Sequence, residues 1–309
     1  MDILDQNDLK NMILSATSKV IDNKEKINEI NYYPIPDKDT GTNLSATLYS
    51  LEKSISEKNY ESISSLSKDI LNASLLSAQG NSGMVITAFL IGFFEEAKKY
   101  KELNLSILAS CFNQGSIKVS ETIQTQTKGT IIDVVKRTAH SINIFDENSK
   151  LDEVFLSCLK ETRKAVEDTV QEMIVLSGQN TVDAGSLGFY FFLEGMYEGL
   201  INKNTTSVPI KFQDDRKLEK PIEIAKNKYE VMFIINNYQM EANNIKEILS
   251  VIGDSFDFLS LDKSLKIHIH TDEPVTVKEI AYTLGEVTML QITDMTTETI
   301  IENYRKKDA

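Results

Sequence analysis

The hydrophobic residues of this chain change period near residue 227, and that change limits the architecture more than any other feature. Upstream, apolar residues recur every three to four positions. Leu9, Met12, Ile13 and Ile21 form one such set, and Leu44, Leu48, Leu51 and Ile55 the next. Ile63, Leu66, Ile70 and Leu71 follow within residues 60–77, then Val85, Ile86, Phe89, Leu90, Phe93 and Phe94 within 84–100. This spacing gives a helix one apolar face. Further helical patterns cover residues 105–122, 130–141, 151–175 and 184–202, and nothing upstream alternates with period two. About eight helices with short connections predict an all-α bundle or closed helical barrel over residues 1–202.

A polar linker is expected over residues 203–227, which contain Asn204-Thr205-Thr206-Ser207, Pro209 and Pro221. Beyond it, Tyr229–Asn236, Phe256–Leu261, Leu265–His270 and Val287–Ile292 read as strands. Asn243–Ile252 and Val275–Leu284 read as helices stopped by Gly253 and Gly285, and Glu298–Lys306 as a terminal helix. The order β-α-β-β-α-β predicts a smaller α+β domain of split-βαβ type over residues 228–309. The fold class is therefore multidomain, with a helical domain followed by a smaller α/β one. A length of 309 residues fits two cores.

The formal net charge of −13 argues against nucleic acid or an anionic membrane as the main partner. No apolar run approaches the roughly 18 residues of a membrane span. The start, Met1-Asp2-Ile3-Leu4-Asp5-Gln6, lacks the basic and apolar regions of a signal peptide. Cys111 and Cys158, far apart, read as buried free thiols in a reducing cytoplasm.

The chemistry concentrates in Asn31-Tyr32-Tyr33-Pro34-Ile35-Pro36-Asp37-Lys38-Asp39-Thr40-Gly41-Thr42-Asn43. Two prolines hold its first half extended. Two carboxylates one residue apart suit a hard cation such as Mg²⁺. Thr-Gly-Thr-Asn then opens a helix whose first N–H groups suit a phosphate. The same residues also make a Pro-rich turn and helix cap with Asp37 and Asp39 solvated. Gly80-Asn81-Ser82-Gly83, Gly129-Thr130 and Asp183-Ala184-Gly185-Ser186 likewise place Gly and small polar residues at helix starts. Such residues punctuate any helical protein. In an up-and-down bundle, however, alternate starts share one end, and four such loops beside an Asp-x-Asp turn point to a phosphate site.

Asn31 to Asn43 resembles the Asn-x-x-Pro-x-Pro-Asp-Gly-Asp-Thr-Gly-Thr-Asn element of the bacterial fatty acid kinase catalytic subunit. The N-terminal domain of that family is similar to the nucleotide-binding (DhaL-like) subunit of dihydroxyacetone kinase. Gln79-Gly80-Asn81-Ser82-Gly83 resembles the family's Arg-Gly-Asn-Ser-Gly, Lys128-Gly129-Thr130-Ile131 its Glu-Gly-Thr-Ile, and Val182-Asp183-Ala184-Gly185 its Val-Asp-Ala-Gly. The resemblance implies a DhaL-like barrel of antiparallel helices with nucleotide at one rim. It implies ATP and Mg²⁺, with Asp37 and Asp39 as catalytic metal ligands and Asn31 as a third. Thr42, Asn43, Gly80, Asn81, Ser82 and Gly83 would hold phosphates, and Thr130 and Asp183 would border the nucleotide. Thr40 stands where dihydroxyacetone kinases have His, as in the fatty acid kinase branch. A carboxylate substrate is already ionised near neutral pH and needs no general base.

The chain departs from the family pattern at Lys38 (for Gly), at Gln79 (for Arg) and at Ser186-Leu187 (for Gly-Lys). If the family Gly has positive φ, Lys38 costs on the order of 1 kcal/mol. In the second domain, His268 and His270 are two apart in a strand and share a face, as does Asp272 if the strand reaches it. Alone, they also fit a solvated sheet face. Lys266-Ile267-His268-Ile269-His270-Thr271-Asp272-Glu273-Pro274 resembles the Val-His-Val-His-Thr-Asp-Asp-Pro segment of the fatty acid kinase middle domain. The resemblance links these histidines to Zn²⁺ together with a Cys, whose position Glu230 takes here.

The resemblance runs from about residue 7 to 295 and stops before the family's third domain, which contacts the fatty-acid-carrying partner. The chain is thus either naturally short or part of a longer protein. The function expected is transfer of the γ-phosphoryl group of Mg·ATP to the carboxylate of a fatty acid on a carrier protein. The alternatives are a non-catalytic nucleotide-binding regulator and a glycerone kinase-type subunit. A homodimer in the cytoplasm is the expected assembly.

Overall fold

The computed structural model describes residues 3–33, 38–123, 127–146, 149–201, 227–297 and 299–306. The chain divides into two compact units, Met1–Val119 with Thr127–Glu223, and Ser120–Gln126 with Ile224–Ala309. Except for Asn227, the expected linker lies outside the described residues.

The first unit is mostly helical. Its helices are α1 (Gln6–Asp22), α2 (Lys24–Glu29), α3 (Thr40–Ile55), α4 (Ile63–Ser77), α5 (Gly80–Ala97), α6 (Leu105–Thr122), α7 (Ile131–Ile142), α8 (Leu151–Glu172), α9 (Ile174–Gln179) and α10 (Ala184–Ile201). A capping box opens α1, in which Asp5 accepts from Asp8 N and Asp8 accepts from Asp5 N. α2 and α9, six residues each, are too short to carry a periodic signal and were not expected. α1 packs along α10, so the first and last long helices close the circuit. α5 and α10 are apolar nearly all round and buried along most of their length. They meet at Phe89 and Phe189, edge-to-face at 5.2 Å, and Phe89 also meets Phe112 at 5.6 Å. Such pairs add about 0.5–1.5 kcal/mol each beyond burial. No described helix is long and apolar enough to cross a membrane.

The second unit holds β1 (Tyr229–Asn236), α11 (Ala242–Leu249), β2 (Gly253–Leu261), β3 (Ser264–Thr271), α12 (Pro274–Leu284), β4 (Glu286–Asp294) and β5 (Thr299–Arg305). The sheet order is β2-β3-β1-β4-β5, and every neighbouring pair is antiparallel. The first four strands and two helices have the expected split-βαβ order. The fifth strand corrects the reading of Glu298–Lys306 as a helix. Thr299, Ile300, Ile301 and Tyr304 favour extended backbone, and β4 offers them a free edge to pair with. One sheet face carries Val231, Phe233, Ile235, Leu265, Ile267, Ile269 and Leu290, and it is covered by Ile245 and Leu249 of α11 and Val277 and Ala281 of α12. The opposite face carries Glu230, His268 and His270.

Candidate functional site

α3 and α5 start side by side. Lys38, exposed, has φ 60, so the turn into α3 takes the left-handed conformation that the family's Gly allows freely. Asp37 lies outside the described residues. Asp39 precedes α3, and its Oδ2 accepts from Asn43 Nδ2 at 2.9 Å. Asn43 in turn lies against the first residue of α5. Gly80 has φ +59, and a Cβ there would stand 2.5 Å from Asn43 Nδ2. Thr47 Oγ1 fastens the two helices by donating to Asn43 O (2.7 Å) and accepting from Gln79 N (3.1 Å). A Cβ on Gly83 would strike the same Thr47 oxygen. Asn31 is buried. Thr42 is exposed, whereas Asp39, Asn43, Gly80, Asn81 and Ser82 are half-buried.

Sequence reasoning missed Asn28. Its Oδ1 accepts from Thr42 N and its Nδ2 donates to Thr42 Oγ1, both at 3.1 Å. The backbone N–H that Thr42 would offer a phosphate is thus held by the end of α2, whereas its hydroxyl accepts there and keeps its own proton to donate. A lone Asn in a short polar helix carries no signal that would have singled it out.

α7 and α10 start together through one carboxylate. Asp183 is buried, and its Oδ2 accepts from Ile131 N (3.0 Å), Ser186 N (2.8 Å) and Ser186 Oγ (2.8 Å). Burial pushes this carboxyl above the ordinary range, and the donors from Ser186 and Ile131 pull against that shift. A negative group at two helix starts also meets their positive dipole ends. Thr130 turns its hydroxyl back to Thr127 O at 2.9 Å. Tyr33 reaches the same loop, with its hydroxyl 2.9 Å from Thr127 Oγ1. Ser186 and Leu187, where the family has Gly-Lys, are fully buried and hold no exposed position. Gly188 of α10 packs on Leu44 of α3, so the α3–α5 and α7–α10 pairs of starts adjoin at one end of the unit.

In the second unit, register places Glu230 opposite His270 and Met232 opposite His268. Cross-strand partners share a face, so Glu230 and both imidazoles converge. Their ligand atoms all lie within 4.8 Å of one another. The face is not solvated, since His268 is 0% and His270 9% exposed. His268 Nε2 lies 2.9 Å from Glu230 Oε1, and the two rings meet edge-to-face with centroids 4.9 Å apart. Burial opposes charge on His268, but contacts to Asp257 and Glu230 outweigh it and push the imidazole up to about 10. Burial and the neighbouring His268 charge push His270 down to about 4. Glu230 is held below its ordinary value despite burial, because it bonds to His268. Asp272 is not part of the cluster, and its Oδ1 accepts from Lys228 N. Asp257, a second residue that sequence reasoning missed, is buried with Oδ2 3.3 Å from His268 Nδ1.

Fold and site together define a two-unit protein, in which a helical domain gathers small polar helix starts at one end and a split-βαβ sandwich buries a carboxylate–imidazole cluster. The chain belongs to the DAK2 domain family, whose model matches residues 34–198. Residues 226–300 match the FakA-like middle-domain family of fatty acid kinase. An uncharacterized protein of Staphylococcus haemolyticus is 26% identical over 297 residues, covering 92% of this chain and 54% of the relative. One of Staphylococcus aureus is 24% identical with the same coverage. The chain therefore spans about half the length of the curated relatives it matches. Among solved structures, the dihydroxyacetone kinase from C. freundii in complex with AMP-PNP and Mg²⁺ is similar, with a TM-score of 0.48 at 14% identity. The similarity covers 61% of this chain and 33% of that one.

Proposed function

We propose that the first unit binds Mg·ATP at the adjoining starts of α3, α5, α7 and α10, and that the chain is the nucleotide-binding part of a kinase that phosphorylates a carboxylate. The observation that carries this reading is the juxtaposition of Asp39 and Asn43 with Gly80–Ser82. A carboxylate there stands beside the first turn of a helix, where N–H groups lack intrahelical acceptors and suit an anion. Asp39, with Asp37 and Asn31, would hold Mg²⁺, which supplies charge neutralisation to a phosphoryl group. Asn81 and Ser82 would donate to phosphate oxygens. Asp183 and Thr130, both buried and bonded within the protein, would act by fixing the starts of α7 and α10 rather than by touching the nucleotide. The match to the FakA-like middle domain of fatty acid kinase favours a fatty acid on a carrier protein as acceptor over a triose. Thr40 in place of a basic imidazole agrees, because phosphoryl transfer to an ionised carboxylate rests on positioning and electrostatics.

The donor set of the second unit fits a borderline cation such as Zn²⁺. The ligand atoms of two imidazoles and one half-buried carboxylate lie within 4.8 Å of one another, with His268 fully buried. Glu230, His268 and His270 would hold the ion, which would cross-link β1 and β3 and serve a structural role.

Calorimetry of Mg·ATP binding to the parent, Asp39→Asn and Ser82→Ala proteins tests the first site. The expected result is magnesium-dependent binding that weakens tenfold or more, about 1.4 kcal/mol, in Asp39→Asn. Binding indifferent to magnesium or to Asp39 would remove the metal role. Transfer from ATP to carrier-bound oleate, compared with dihydroxyacetone, then decides the acceptor. Nucleotide binding without either transfer would make the chain a regulator.

A further inference from the structure

Asp257 reaches the His268 ring only because strand β2 is bulged. Asp254 pairs with His270 and Asp257 with His268, so β2 advances three residues while β3 advances two. In a regular strand, residues three apart point to opposite faces. The extra residue, with Ser255 at φ 56, reverses that alternation and brings Asp254 and Asp257 to one face. Phe256 and Phe258, either side of Asp257, pack on the helix-covered core of the unit. A bulge that turns a carboxylate away from solvent into a buried face has a cost, since the carboxylate loses water there. Its gain must lie in what the carboxylate meets.

What it meets is the nitrogen of His268 that faces away from the other ligands. Nε2 points to Glu230 Oε1 at 2.9 Å. Nδ1 is buried and lacks an aligned hydrogen-bond partner among the described residues, and Asp257 Oδ2 lies 3.3 Å from it. We propose that Asp257 is a positioning residue for the metal centre of the second unit. It accepts the Nδ1 proton of His268, selects the tautomer with Nε2 unprotonated, and so directs Nε2 to a Zn²⁺ ion shared with Glu230 and His270. A histidine that binds metal through one nitrogen commonly donates the other to a carboxylate, which fixes the ring and raises its basicity. The inference rests on the metal reading above and adds to it a residue outside the ligand set.

The test uses the full chain, prepared metal-free, with Zn²⁺ affinity read by competition against a chromophoric chelator. In parallel, ¹⁵N imidazole spectra of the zinc-loaded protein report which ring nitrogen carries the proton. Asp257→Ala should weaken Zn²⁺ binding about 10–100-fold and shift the Nδ1–H signal of His268 to that of a ring N–H without a carboxylate acceptor. Asp257→Asn, which keeps an acceptor oxygen of the same shape, should recover most of that loss. A merely structural carboxylate would lower the unfolding midpoint and leave both readouts of the folded protein unchanged. Asp257→Ala with zinc affinity within threefold of the parent, or His268 ligated through Nδ1, overturns the proposal and leaves the metal site standing. A parent chain that binds no Zn²⁺, or binds it equally well in His270→Ala, overturns the metal reading and the role of Asp257 with it. If Asp257→Ala fails to fold, Asp257→Leu, similar in volume but without an acceptor, carries the decision, and zinc affinity within about threefold of the parent in that variant overturns the proposal.

Discussion

Replacing Asp183 by Ala separates a latch from a nucleotide contact. One buried oxygen, Asp183 Oδ2, accepts two backbone N–H groups and one hydroxyl from α7 and α10. In Asp183→Ala the Ser186 hydroxyl can rotate to a carbonyl within its own helix, but Ile131 N and Ser186 N stay in place. Each buried donor left unmade costs about 1–3 kcal/mol. Two of them give about 2–6 kcal/mol, reduced because a carboxylate no longer has to be kept out of water. A net loss of about 3 kcal/mol is the expected outcome. Asp183→Asn retains an oxygen and loses only the charge assistance, so about 1 kcal/mol is expected. Urea unfolding followed by far-UV circular dichroism reads both. At a slope of about 2 kcal/mol per molar, the midpoint should fall by about 1.5 M in the Ala variant and about 0.5 M in the Asn variant. A midpoint within about 0.3 M of the parent in Asp183→Ala, together with lost Mg·ATP binding, would refute the latch and return Asp183 to the nucleotide.

Lys38→Gly removes a left-handed Lys, worth about 1–2 kcal/mol, against a Gly entropy cost of about 0.5–1 kcal/mol. The variant should unfold slightly later than the parent and bind Mg²⁺ within about threefold of it. Destabilisation beyond 0.5 kcal/mol, or a gain in Mg²⁺ affinity of about tenfold, would contradict this account. Gly80→Ala should cost about 2 kcal/mol in the same urea assay, because it adds left-handed strain and drives a methyl group into Asn43; an unchanged midpoint would show that the α3–α5 junction yields. Burial pushes the Cys111 thiol up to about 12 and the Cys158 thiol up to about 11. Neither should react with a disulfide reagent at mildly alkaline pH until the protein is unfolded, and rapid labelling of the native chain would show that the helices open locally.

Much of this architecture was legible from local pattern. Most of the long helices announce themselves because each buries one stripe at helical spacing, and the strands of the second unit because Tyr229–Asn236 is apolar over a length too short for a helix and Leu265–His270 alternates apolar with polar residues. The motif residues were legible as chemistry: small donors at helix starts, two imidazoles on one strand face. Residues 299–305 were not, because a short run of Thr, Ile and Tyr takes its conformation from an available sheet edge, and the edge belongs to β4, not to the run itself.

Sequence alone determined which residues could share a face, since the periods of helix and strand are local properties of the backbone. Tertiary structure decided what those faces meet. Asp183 reads as one polar residue at one helix start, and only the packing of α7 against α10 makes its oxygen the acceptor for both. Thr42 reads as a free donor until the end of α2 brings Asn28 onto it. Asp257 has the wrong parity for the histidine face, and only a bulge in β2 corrects it. In each case the deciding partner stands on another element, Ile131 on α7, Asn28 on α2 and His268 on β3. The energy that selects the arrangement lies in satisfying buried polar groups across elements, which no local pattern encodes.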